Sequence, residues 1–232
     1  LFLCDTEGLL VWAEYPATYE FNDRAISAIA AEWLEAVRQQ YNHPCVIAWV
    51  PFNESWGIPN VYTDKLQQRF TEGIYSLTKA FDPMRPVVCN DGWEHTCSDI
   101  VTVHDYDGCV ERVNDRYKND MKDILDNKIA PTNYRFVMAK GYEYQGQPIV
   151  VSEYGGFKLA GTEGWGYDGE AKDAEDLVRK YDEITSAYKK MEKVCGFCYT
   201  QLTDVYHETN GLMSFDRTPK VPLKEIKKIN ER

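Results

Sequence analysis

Val46-Ile47-Ala48-Trp49-Val50-Pro51-Phe52-Asn53-Glu54-Ser55-Trp56-Gly57 joins a short apolar run to a glutamate flanked by aromatic residues and closed by glycine. Ile149-Val150-Val151-Ser152-Glu153-Tyr154-Gly155-Gly156 repeats that design later in the chain. Apolar runs of this length, bounded by turn residues, read as buried parallel strands. A glutamate at the C-terminal end of such a strand is costly to bury without a partner or a task. Two of them in equivalent places suggest a pair of carboxylates that handle one bond.

The segments on either side alternate. Leu9–Glu14 is a strand candidate, followed by helical spacing of Ile26, Ile29, Trp33 and Val37 within 22–41, with Asn22 or Asp23 as cap. A second helix is expected from Asp64 to Phe81 on Leu66, Phe70, Ile74 and Leu77, ended by Asp82-Pro83. Pro86–Cys89 and Ile100–Val103 read as strands, and 106–146 as one irregular helix plus loop. After the strand at Ile149–Ser152 and a glycine-rich loop, a helix is expected over 170–192 on Leu177, Tyr181, Ile184 and Tyr188. A strand at Val194–Tyr199 and a short helix from Pro222 close the chain. Strands separated by helices imply βαβ units, an α/β class and a parallel sheet. The count falls two short of the eight strands of a complete (β/α)8 TIM barrel of about 250 residues. Residues 1–232 therefore read as a single barrel domain whose N-terminal strands are missing. The start on Leu1-Phe2-Leu3-Cys4, inside an element and without a methionine, fits that reading.

Bulk composition excludes several functions. A net charge of −11 argues against nucleic acid and anionic membrane surfaces as partners. There is no apolar run long enough for a membrane helix. The basic cluster Lys224, Lys227 and Lys228 reads as the solvated face of a last helix. Seven cysteines, odd in number and scattered, do not form a disulfide framework, and they favour a reducing, cytoplasmic compartment. Cys195-Gly-Phe-Cys198 has dithiol spacing but lies in a strand, where positions three apart face opposite ways.

Catalytic groups of parallel barrels sit at the C-terminal ends of strands. The residues there are Glu14, Asn53 with Glu54, Asn90-Asp91-Gly92-Trp93, His104 with Tyr106, Glu153 with Tyr154, and Gln201 with Asp204. Carboxylates, amides and aromatics form the mixture that glycoside cleavage needs. One acid protonates the leaving oxygen, one carboxylate attacks or activates water, and aromatic faces stack on sugar rings.

These residues, in this order, resemble the catalytic barrel of family 2 glycoside hydrolases, the group of β-galactosidases, β-glucuronidases and β-mannosidases. The likeness rests on Asn53-Glu54, Ser152-Glu153-Tyr154-Gly155 and Cys4-Asp5 with Gly8-Leu9-Leu10-Val11. It also rests on His43-Pro44 through Trp49, on Asp82-Pro-Met-Arg85-Pro86-Val87, and on Gly196-Phe197 through Asn210-Gly211-Leu212. It implies that the chain begins near the third barrel strand, that Glu54 is the general acid/base and that Glu153 is the nucleophile. It also implies that Asn53 holds the sugar 2-hydroxyl and that Tyr106 hydrogen-bonds the nucleophile. A retaining mechanism places the two carboxyl groups about 5–5.5 Å apart. The implied activity is hydrolysis of terminal β-linked sugars, β-galactosides first and β-glucuronides second, without a cofactor or metal. The implied partners are a carbohydrate substrate and upstream β-sandwich domains, and association into a homo-oligomer stays open. Two departures are the absent first two strands and Tyr199, where the family often has tryptophan.

Several residues keep two readings. Glu14 either binds substrate or pairs with an arginine, and His104 either lines the subsite or is a hydrogen-bonded core histidine. Trp56 and Trp93 either stack on sugar or pack in the core. Trp165, in the glycine-rich loop, is either a sugar platform or a loop anchor. Gln201 and Asp204 either reach a subsite or fix the last loop. The alternative functions are a carbohydrate-binding scaffold without catalysis and an endo-acting retaining glycanase.

Overall fold

The computed structural model describes residues 1–132 and 134–232. They divide into two compact units, one of Leu1–Val103 with Asp123–Ile149 and one of His104–Lys122 with Val150–Arg232. No helix among the described residues is long and apolar enough to cross a membrane.

In the first unit, α1 (Phe2–Glu7) precedes β1 (Val11–Glu14), α2 (Asp23–Gln40), β2 (Val46–Val50) and α3 (Lys65–Phe81). β1 and β2 are parallel, with Ala13 opposite Trp49 and Glu14 opposite Val50. The expected strand at Pro86–Cys89 is reduced to one parallel bridge, Trp49 with Val87, and a second follows beyond it between Asn53 and Asp91. The helix α1 was not expected, because six residues are too few to show a periodicity. The Asn22 side chain caps α2 by accepting from the Ala25 amide, and Ile29, Trp33 and Val37 form its buried stripe. Trp33 meets Trp49 edge to face at 6.0 Å in the core of this unit.

The inward face of α3 keeps part of its apolar spacing, with Ile74 buried and Phe70 packed on Phe52, and adds polar residues. Leu66 is 65% exposed, whereas Gln67, Gln68, Thr71 and Thr78 are buried with Ile74. Burial of these polar groups is tolerated because each is hydrogen-bonded. Gln68 Nε2 donates to the Val61 and Tyr62 carbonyls, and the Thr78 hydroxyl accepts from Trp33 Nε1 at 2.7 Å. Hydropathy spacing cannot see such a stripe.

Two of the family motifs are tied together in this unit. Arg85 donates to the carbonyls of Tyr41, His43 and Val46 and to Asp82 Oδ2, which also accepts from Trp49 Nε1. Burial opposes ionisation of Asp82, but the Arg85 and Trp49 donors outweigh it and hold its carboxyl below the usual range. Asp5 makes a similar tie. It accepts from the Cys45 amide at 2.9 Å and lies 2.6 Å from His43 Nδ1. The hydrogen bonds from Cys45 and then from His43 hold its carboxyl down at about 2. A carboxyl depressed on folding stabilises the chain above its ordinary value of 3.8, and that contribution is lost as pH falls toward 2. Asp5→Asn is therefore expected to lower the melting temperature near pH 6 and to have little effect near pH 2. An equal decrement at both pH values would show that the charge is not its source.

The second unit contains β4 (Ile149–Gly155) from Val150 onward, β7 (Val194–Thr200) and the His104–Asp105 end of β3 (Val101–Asp105). The sheet order is β3-β4-β7. The helix expected from 170 begins later, because Glu170–Ala171 (β6) pairs with Lys158–Leu159 (β5). Asp173 then caps α6 (Ala174–Tyr188) by accepting from the Asp176 amide. Leu177, Tyr181, Ile184 and Tyr188 are buried as the spacing predicts, and α7 (Leu223–Glu231) packs on α6. The segment after β3 is irregular, as expected. A short helix α4 (Val110–Asp115) runs into a π-helical turn at Arg116–Asp120, and α5 (Met121–Leu125) begins after it. No disulfide joins any pair of the described cysteines.

Candidate active site

In the first unit the chain turns sharply after Phe52. Glu54 (φ 52°) and Ser55 (φ 59°) are both in the left-handed region, which costs a residue with a side chain about 1–2 kcal/mol. Such strain persists where the surroundings over-determine it. The Glu54 amide donates to the Asp91 carbonyl at 2.9 Å, and the Asp91 amide donates to the Phe52 carbonyl. The Ser55 amide donates to Asn90 Oδ1 and the Ser55 hydroxyl to Glu94 Oε2 at 2.6 Å. Asn90 Nδ2 donates in turn to Ser55 Oγ and to the Trp93 carbonyl. Trp12 Nε1 donates to Asp91 Oδ2 at 2.9 Å. Gly57 completes the turn, because a Cβ there would lie 2.6 Å from Thr18 Oγ1.

This buried polar frame presents Glu54 to a cavity of about 330 Å³ that is lined also by Ser55, Trp56, Pro59, Trp93 and Arg135. Arg135 pairs with Glu94 at 3.0 Å and lies over the Trp93 ring. Trp93 is buried, whereas Trp56 is half exposed and stands edge-on to Tyr19. Asn53 Oδ1 is buried and accepts no hydrogen bond from a described residue. Glu14 is exposed at the end of β1, in register with Val50 on β2.

In the second unit Glu153 sits near the end of β4. Its Oε2 accepts a short hydrogen bond from the Tyr106 hydroxyl, and His104 Nδ1 lies 3.5 Å from the same oxygen. His104 is fully buried. Burial, and then the Glu153 charge, push the Tyr106 phenol far above its ordinary value. The phenol therefore keeps its proton and donates a hydrogen bond to Glu153 Oε2. The backbone on either side is fixed by Arg116, which pairs with Asp105 at 2.5 Å and with Asp107 at 3.1 Å.

The glycines after Glu153 allow aromatic rings to close over the strand end. A Cβ on Gly155 would lie 2.2 Å from Tyr199, and one on Gly156 would lie 2.6 Å from Tyr167. Tyr167 stacks on Tyr106 with ring centroids 3.5 Å apart and planes 5° apart. Trp165 stands edge-on to Tyr167 and is anchored by its backbone, its amide donating to His207 O and its carbonyl accepting from Thr209 N. It remains 47% exposed, so it is a loop anchor with an open face. Asp204 is bound by Lys220 Nζ at 2.6 Å and by the Gly211 amide, and Gln201 donates to Asn210. These last two candidates fix the terminal loop.

Within the first unit, the structure thus gathers Glu54, Trp56 and Trp93 at one cavity. Within the second it gathers Glu153, Tyr106 and His104 at one oxygen. Sequence reasoning missed Ser55, Glu94 and Arg135, which build the frame under Glu54. Arg135 lies in the weakly periodic stretch and carries no sequence signal, whereas Glu94 follows directly on Asn90-Asp91-Gly92-Trp93 and could have been included. Tyr167 was legible only as a neighbour of Trp165.

The family described as glycosyl hydrolases family 2, TIM barrel domain, matches residues 1–232. A putative β-glucuronidase of Formosa agariphila is 30% identical over 103 residues, which is 39% of this chain and 12% of that protein. A β-glucuronidase of Sus scrofa is 25% identical over 170 residues, which is 68% of this chain and 24% of that protein. The match thus spans under a quarter of the length of these relatives. Among solved structures, a GH2 β-galacturonidase from Eisenbergiella tayi bound to galacturonate matches 98% of this chain and 42% of its own, with a TM-score of 0.73 at 19% identity. A β-glucuronidase from an uncultured Clostridium sp. matches 100% of this chain and 42% of its own, with a TM-score of 0.69 at 19% identity. At such identity the structures establish the fold.

Proposed function

Because this chain belongs to family 2 of the glycosyl hydrolases, as the TIM barrel domain of that family, we propose that residues 1–232 act as one catalytic domain of a retaining β-glycosidase. Glu153 is the nucleophile and Glu54 the general acid/base. In the first step Glu54 protonates the glycosidic oxygen while Glu153 attacks the anomeric carbon and the bond to the leaving group breaks. In the second, Glu54 takes a proton from water, the water oxygen attacks the same carbon, and Glu153 departs. Both transition states carry oxocarbenium character, so a carboxylate beside the ring stabilises them as well as attacking.

The observation that carries this reading is the Tyr106 hydroxyl on Glu153 Oε2. A phenol that stays protonated favours the ionised carboxylate that attack requires. It also fixes which way the carboxylate plane faces. His104, buried 3.5 Å from the same oxygen, supports that orientation. The cavity at Glu54, walled by Trp56 and Trp93, offers the half-exposed Trp56 ring to a sugar. The unsatisfied Asn53 Oδ1 suits a sugar 2-hydroxyl.

For the sugar, β-glucuronides are placed ahead of β-galactosides, since the relatives from Formosa agariphila and Sus scrofa both carry β-glucuronidase names. The test uses the full-length protein and a 2-deoxy-2-fluoro-β-glucuronyl fluoride, which forms the intermediate quickly and loses it slowly. One label is expected, on Glu153 in the peptide spanning Ile149–Gly156. A label on another residue would remove Glu153 from the mechanism. Ranking kcat/KM across 4-nitrophenyl β-glucuronide, β-galacturonide, β-galactoside and β-mannoside checks the sugar. A preference for the galactoside would reverse that ranking.

A further inference from the structure

Tyr106 is held beside its backbone by the Asp105–Arg116–Asp107 network and at its hydroxyl by Glu153 Oε2, but two end tethers leave the plane of the ring free to rotate about its side-chain torsions. Against that plane lies Tyr167, flat on the ring at 3.5 Å. Two isolated aromatic rings prefer an offset or edge-on arrangement, so this parallel stack is imposed by the loop that carries Tyr167. The loop geometry shows how. The Tyr167 amide donates to the Gly156 carbonyl at 2.9 Å. Gly156, at φ 68°, lacks the Cβ that would strike Tyr167 at 2.6 Å and Tyr106 at 3.0 Å. A Cβ on Gly166 would lie 2.8 Å from the Gly156 carbonyl oxygen, so this neighbour too is limited to glycine by space. The next residue back, Trp165, is clamped to the 207–209 segment through both its amide and its carbonyl and buttresses the outer edge of Tyr167.

We infer that Tyr167 is a positioning residue, which through its stack on Tyr106 aims the phenol hydroxyl at Glu153. This rests on the reading of Glu153 as nucleophile. Tyr167 does no chemistry itself. Its loop, anchored on the 207–209 segment, becomes part of what orients the nucleophile.

The test is a double-mutant cycle in the full-length protein, with the 4-nitrophenyl β-glycoside that it turns over best. Tyr167→Ala is expected to lower kcat by roughly ten- to a hundredfold, the scale of a small misplacement at a reacting centre, with KM within about twofold. Tyr167→Phe, which keeps the flat face, is expected to retain the parent kcat. In a Tyr106→Phe background, Tyr167→Ala should cost nothing further, because the hydroxyl it aims is gone. An equal loss of kcat in both backgrounds, or a rise in KM with kcat unchanged, would overturn the inference. If Tyr167→Ala does not fold, Tyr167→Leu replaces it with the same expectations. Failure of both to fold while Tyr167→Phe folds would make the residue structural and overturn the inference as well. Glu153→Gln, assayed in parallel, separates this from the reading beneath it: an active Glu153→Gln protein removes the nucleophile assignment whatever Tyr167 does.

Discussion

Glu153→Gln is expected to abolish turnover of aryl β-glycosides, with kcat reduced on the order of 10⁴-fold or more, equivalent to about 5.5 kcal/mol or more of barrier. The substitution is nearly isosteric. The amide oxygen can still accept from the Tyr106 hydroxyl that now meets Glu153 Oε2, so binding and local packing should persist. What is lost is specific. An amide is a poor nucleophile toward the anomeric carbon, and it carries no charge to stabilise an oxocarbenium-like transition state. The pattern to look for is a collapse of kcat with a nearly unchanged Kd for a competing sugar and an unchanged melting temperature. Parent-level kcat in this variant would end the assignment of Glu153.

Glu54→Ala should give a second large effect, of a different form. General acid catalysis contributes about 10²- to 10⁴-fold, and the need for it grows with the basicity of the leaving group. An alkyl β-glycoside should lose activity across that range, while a 2,4-dinitrophenyl glycoside should lose far less in its first step because its leaving group departs without a proton. The second step then limits turnover, since no base activates water. Azide needs no base and should restore the rate, giving a glycosyl azide of retained configuration. A loss that is the same for every leaving group, without azide rescue, would show that Glu54 acts through the fold. The frame beneath it makes such a control informative. Ser55 with Asn90 and Glu94, and the backbone pair between residues 52–54 and Asp91, do not depend on the Glu54 carboxyl.

Much of this was legible in the chain as written. The apolar runs before Glu54 and Glu153 are strands β2 and β4, and the two long amphipathic stretches that follow β1 and β2 are α2 and α3, capped by Asn22 and Asp64. Those features are local. A strand run and a capping side chain act over a few residues, so their signal survives in one dimension. The strand expected at Pro86–Cys89 fared worse, because its pairing with β2 is reduced to a single bridge between Trp49 and Val87. Ile74 and Phe70 face inward on α3 as their spacing predicts, but the glutamines and threonines buried beside them leave no such signal, because they enter a core only when partners meet them, as the Val61 and Tyr62 carbonyls and Trp33 do.

By itself the sequence determined the strand-and-helix alternation, the family and the two glutamates at strand ends. These depend on residue type, order and local spacing. The tertiary structure decided how each glutamate is held. Glu54 stands on a left-handed turn clamped by Asn90, Asp91 and Glu94 from a separate segment. Glu153 faces Tyr106, a tyrosine 47 residues away in the chain, and that tyrosine is stacked by Tyr167 from a glycine-rich loop. Such partners are chosen by the return of distant backbone to the same place, and hydrogen bonds and ring contacts acting over a few ångströms leave no periodic trace in the order of residues that makes them.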